Sequence, residues 1–160
     1  MSELRTNRIV PRDGLPSGSS GCIIQVKSTT KTTHQSIIDS SGSSAYPSGA
    51  VDIMTVSITP TRADSKILVM SDMSWSAIDG HCSCRLMRDS TPIKVGDASG
   101  NKTQVTGQIH YSSSDQYDLE QVSGTHMDSP ATTSAVTYSM QVGTPYSASY
   151  DCTVNYNSED

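Results

Sequence analysis

The sequence predicts an all-β protein: an antiparallel β-sandwich carrying an extended N-terminal arm. Apolar residues alternate with polar ones at a period of two in segment after segment, the pattern of strands with one buried face. These segments recur every 8–12 residues or so, giving roughly eight to ten strands, the spacing of a sandwich or jelly roll. No apolar run at helical spacing exceeds about two turns. Among the sixteen acidic residues only Glu3, Glu120 and Glu159 are glutamate. Aspartate favours turns and glutamate favours helices, so this bias agrees with the periodicity.

The elements follow in order. Residues 1–20 (MSELRTNRIVPRDGLPSGSS) hold three arginines, and Pro11 and Pro16 forbid a continuous helix. The segment reads as an arm ending in a flexible Ser-Gly joint, with Leu4, Arg5, Arg8, Ile9, Val10 and Arg12 as the candidate docking residues. The domain proper is expected over 21–160. Its first strand is expected at 22–27, where Cys22, Ile24 and Val26 alternate with Ile23, Gln25 and Lys27, followed by a polar stretch and a loop at 40–50. Residues 51–59 form the next strand, with Val51, Ile53, Thr55 and Ser57 on one face and Met54, Val56 and Ile58 on the other.

A turn at 59–65 leads to a longer strand at 66–77, which Asp79-Gly80 breaks. In 81–89, Cys82, Cys84 and Leu86 share one face, and His81, Ser83, Arg85 and Met87 the other. Turn chemistry at Asp89-Ser90-Thr91-Pro92 predicts a hairpin to Ile93–Val95. A loop at 96–102 follows, then strands at 103–111, 117–127 and 133–142. The last of these sets Val136, Tyr138, Met140 and Val142 against Ala135, Thr137, Ser139 and Gln141. Cys152, Val154 and Tyr156 mark a final strand.

Composition narrows the function. Apolar residues make up 34% of the 160-residue chain, aromatic residues 5%, and phenylalanine is absent. A core that sparse is comfortable when apolar surface is shared between copies, and apolar residues occur on both faces of 51–59 and 66–76, so a homotrimer is expected. The net charge of −5 argues against nucleic acid as a partner, since such binding leans on Lys and Arg. No apolar run approaches the roughly 18 residues of a membrane-spanning helix, and the first residues lack a signal-peptide pattern. The expectation is a product made in a host cytoplasm, with Cys22, Cys82, Cys84 and Cys152 as free buried thiols that need neither metal nor disulfide.

Catalytic patterns are weak. His81-Cys82-Ser83-Cys84 lacks a four-ligand set, because His81 faces away from the two cysteines. The four histidines (34, 81, 110, 126) are scattered, and no Gly-x-Ser-x-Gly elbow, phosphate loop or dinucleotide fingerprint is present. A carboxylate pair for polysaccharide cleavage is the enzymatic alternative. Trp75 is expected to anchor a core or a subunit interface. Tyr111, Tyr117, Tyr146 and Tyr150 are the candidate exposed binding aromatics. The expected protein is therefore not an enzyme, and no cofactor is expected.

Three stretches carry a resemblance: LRTNRIVPRDGLPSGSSGCIIQV (4–26); MTVSITPTRADSKILVMSDMS (54–74) with CRLMRDSTPIKVGDASG (84–100); and MDSPATTSAVTYSMQVG (127–143). They resemble the small tail-fibre or virion structural proteins of marine bacteriophages and cyanophages. The likeness spans most of the chain, with gaps at 27–50 and 104–126. Its motifs are strand-and-turn motifs and carry no catalytic residues. Ser90 stands where that family usually has Gly, and Cys82 and Cys84 where it has small or apolar residues. The resemblance implies a β-sandwich of jelly-roll type, similar to the trimeric heads of tumour necrosis factor-like proteins. It implies a virion location and an adhesion or fibre role, with capsid decoration as the alternative. The implied partners are further copies of itself, other virion proteins through residues 1–20, and a host surface glycan or receptor.

Overall fold

The structure, a computed structural model, describes residues 23–38, 50–78, 80–111, 119–144 and 151–155. Among these residues there are nine strands and no helix: β1 (Gln35–Ile38), β2 (Val51–Ile58), β3 (Ile67–Ile78), β4 (Gly80–Arg88), β5 (Thr91–Ile93), β6 (Gly107–Tyr111), β7 (Glu120–Asp128), β8 (Val136–Gly143) and β9 (Asp151–Val154). Pairing is nested and antiparallel throughout. β1 pairs β9, β2 pairs β8, β3 pairs β7, and β4 pairs β5 and β6. The chain is thus wound as one long hairpin folded back on itself. Two further pairings, β3 with β9 and β4 with β8, join these ribbons into two sheets. One has the order β1-β9-β3-β7; the other has β2-β8-β4-β5, with β6 also on β4. The protein is an antiparallel β-sandwich.

The chain passes from one sheet to the other between the end of β3 at Ile78 and the start of β4 at Gly80, which takes φ 144°, a value that side chains rarely allow. The core between the sheets holds Met73, Trp75 and Ala77 of β3, Cys82, Cys84 and Leu86 of β4, Met140 and Val142 of β8, and Cys152 and Val154 of β9. The faces expected for 81–89 and 133–142 are the ones observed, and Trp75 is a core residue. Each large apolar side chain buried here contributes roughly 1.5–3 kcal/mol.

Strand β2 departs from simple alternation. Its pairing with β8 shifts between Asp52 and Met54, a bulge that lets both Ile53 and Met54 reach the core from neighbouring positions. Three other expectations need correction. Residues 23–30 are not assigned to a strand, although their apolar residues alternate, because no described strand lies beside them. The first strand is instead β1, at 35–38, four residues of which Ile37 is in the core. The hairpin after β4 turns at Asp89-Ser90, so Pro92 lies inside β5 opposite Met87. An edge strand tolerates a residue that cannot donate to the ladder. In this turn the positive φ belongs to Asp89 and not to Ser90, so a non-glycine residue at 90 carries no strain.

The free-thiol expectation for the cysteines is also overturned. Cys82 of β4 and Cys152 of β9 form a disulfide, with Cα atoms 5.5 Å apart and a sequence separation of 70. They lie on the inward faces of opposite sheets, a relation that strand periodicity alone does not reveal. Cys84 is free and buried, and Cys22 lies outside the described residues.

Two outcomes follow from this packing. Cys152→Ser should lower stability by about 2–5 kcal/mol, the usual effect of losing a bridge in a small domain. Denaturant unfolding with and without reductant checks this, and identical midpoints would mean the bond contributes nothing. Val136→Asp, which places a charge in the core between the sheets, should abolish soluble expression. Thr137→Asp, on the outward face where Thr137 hydrogen-bonds Ser57 at 2.8 Å, should be far milder. Equal expression of the two variants would refute the register.

Candidate assembly surface

The outward face of the β3–β7 pair is apolar at one end. Inward residues of β3 are Val69, Met73, Trp75 and Ala77, so Leu68 and Met70 between them point out. Their cross-strand partners on β7 are Met127 and Thr125. Leu68 is 56% exposed, Met70 73% and Met127 58%. Beyond them the same face turns polar. Asp72 pairs with Ser123 across the strands and accepts a hydrogen bond from Gln121 Nε2 at 3.2 Å. An apolar centre with a polar rim is the composition of a protein interface.

β7 stands at the end of its sheet, and among the described residues it pairs only β3. Its sequence, EQVSGTHMD, contains neither Lys nor Pro, the residues that commonly protect an edge from further pairing. Gly124 on β7 leaves space that the end of the Lys94 side chain occupies, so a side chain at 124 would displace it.

The end of β7 is fastened to the opposite sheet. Asp128 accepts two hydrogen bonds from Arg88 Nη1, at 2.8 and 3.1 Å, and one from the Tyr138 hydroxyl at 2.6 Å. Burial by itself would raise the Asp128 pKa. The hydrogen bonds from Tyr138 and Arg88 outweigh it and hold the carboxyl below its ordinary value. Burial and the adjacent Asp128 carboxylate push the Tyr138 hydroxyl upward, so it stays protonated and donates.

The sequence-derived candidates fare unevenly. Leu4, Arg5, Arg8, Ile9, Val10, Arg12, Tyr117, Tyr146 and Tyr150 lie outside the described residues. Tyr111 ends β6, with its backbone opposite Gly80. His81 and His110 are cross-strand partners with ring centres 4.2 Å apart. Burial, then the neighbouring His110, lowers the His81 pKa. Burial pushes the Cys84 thiol up to about 11, which keeps it protonated and unreactive near neutral pH. Among the described residues no three His, Cys, Asp or Glu side chains gather as a metal-ligand set. A cavity of about 220 Å³ opens among Lys31, Ile53, Asp72, Met73, Gln121 and Asn155. Asp72 is its only carboxylate among the described residues, whereas glycoside hydrolysis uses a facing pair.

Leu68, Met70 and Met127 were not singled out from the sequence. The signal was present in the apolar residues on both faces of 66–76, but it does not say which face is the outer one.

The folded pKa of Asp128 is depressed, so the stability it contributes is complete above the unfolded value of about 4 and is lost as pH falls through the folded value. Asp128→Asn should therefore flatten the acid limb of the stability curve. Tyr138→Phe should cost about 1–3 kcal/mol and move acid unfolding to higher pH. Urea titrations across the acid range check both, and a curve for Asp128→Asn parallel to the parent's would show that the network adds nothing.

Compared with known proteins, the chain matches no protein-family model and no curated relative.

Proposed function

We propose that the chain is a structural protein of a bacteriophage virion, a fibre or adhesion module that works by self-assembly and binding. The observation that carries this reading is the exposed Leu68, Met70 and Met127 cluster beside β7, which among the described residues pairs only β3. A chain whose polar residues are mostly Ser and Thr has no use for such a cluster unless something covers it. The nested pairing supports the jelly-roll form, which is an antiparallel ribbon rolled into two sheets. The resemblance of residues 4–26, 54–74, 84–100 and 127–143 to phage virion proteins supplies the setting. In this reading residues 1–20 dock on other virion proteins, and copies associate as a homotrimer.

Light scattering on the purified chain should give about three times its 17.1 kDa mass. A mass of one chain at micromolar concentration would overturn self-assembly. Counting copies against the major shell protein of the particle then separates a fibre, present in few copies, from a decoration protein present in hundreds. Absence from purified particles would overturn the virion role itself.

A further inference from the structure

We infer that residues 23–30 of one copy add as a strand to the β7 edge of a second copy, with their apolar side chains extending the Leu68–Met70–Met127 face. This rests on the self-assembly reading above and names the surfaces that meet. The segment IIQVKSTT has no assigned secondary structure and, among the described residues, pairs with no strand. Ile23 is 83% exposed, Ile24 49% and Val26 76%, a concentration of apolar surface that its own fold leaves uncovered. The segment runs into β1, at the edge of the sheet opposite β7. Among the described residues neither the segment nor the outer side of β7 has a strand partner within the copy, and a head-to-tail contact between copies would satisfy both. A contact between two different patches closes into a ring when the rotation allows.

Length and charge agree. Eight extended residues span about 26 Å, close to the roughly 30 Å of nine-residue β7. Residues 23–34 carry Lys27 and Lys31 and no acid, while β3 and β7 offer Asp72 and Glu120 and neither Lys nor Arg, Asp128 being already held by Arg88 and Tyr138. Backbone pairing along an open edge, with alternate side chains lying on an apolar face, is strand addition. In that arrangement Ile24 and Val26 lie on one side of the added strand, and one such side continues the face made by Thr125 and Met127.

The test uses two full-length variants, Val26→Asp in the donor and Met70→Asp in the acceptor. Both sites are exposed in the single chain, so each variant should keep the parent's circular dichroism, and each alone should run as one chain in light scattering. Mixing them is the decisive step. The Met70→Asp copy still has a sound donor and the Val26→Asp copy a sound acceptor. The mixture should form a one-to-one pair of about twice the 17.1 kDa chain mass. An oligomeric parent whose two variants are equally oligomeric, or two monomeric variants that stay monomeric when mixed, would overturn the inference and leave self-assembly standing. If only Met70→Asp disrupts assembly, the occupant is another segment, and the donor assignment fails. A parent that is itself a single chain would overturn this inference and the reading it rests on together.

Discussion

The bond between Cys82 and Cys152 joins the two sheets covalently, from β4 on one side to β9 on the other. Much of the remaining architecture converges on these two strands. β4 pairs β5, β6 and β8, and β9 pairs β1 and β3, so one cross-link ties seven of the nine strands through at most one step of pairing. A chain with few large apolar residues gains from such a link, because it restricts the unfolded ensemble without asking the core for more volume. At the other end of the sandwich, Asp128 makes a second connection between the sheets with hydrogen bonds in place of a covalent bond.

The same scarcity of apolar residues makes their placement on the outside informative. The interior uses residues of modest size around a single tryptophan, and the large aliphatic side chains of 23–26 and of the β3–β7 outer face are left in water. A sequence under pressure only to fold would place Leu68 and the three apolar residues of 23–26 inside, where each would add stability. Their exposure is a property of the free chain, and it agrees with a surface divided between giving and receiving.

Fold class, the long strands and their faces were legible in the sequence because alternation is a local signal. Cys82, Cys84 and Leu86 on one side of β4, and Val136 to Val142 on one side of β8, can be read without knowing any partner. What could not be read depends on which strands oppose each other. The Cys82–Cys152 pairing requires the relative position of two sheets, and the bulge in β2 requires the register against β8. Residues 23–30 show the converse: they have the alternation of a strand, but a strand also needs a neighbour, which the described part of a single copy does not supply. The Leu68–Met70–Met127 cluster was half legible. Its apolar residues were visible in the sequence, but its location on the outer face was not.

Two of the three side chains in that cluster are thioethers. Oxidation turns methionine into a sulfoxide, a polar and chiral group, and exposure governs how readily this happens. Met70 and Met127 are open to solvent in the free chain, whereas Met73 and Met140 are enclosed between the sheets. A mild oxidant would therefore change the face before it changed the fold, leaving Leu68 as the only apolar member. Once the face is covered, the same sulfurs are shielded. Peptide mapping of sulfoxide at Met70 and Met127 is thus a chemical record of whether a given copy was alone or covered when the oxidant arrived.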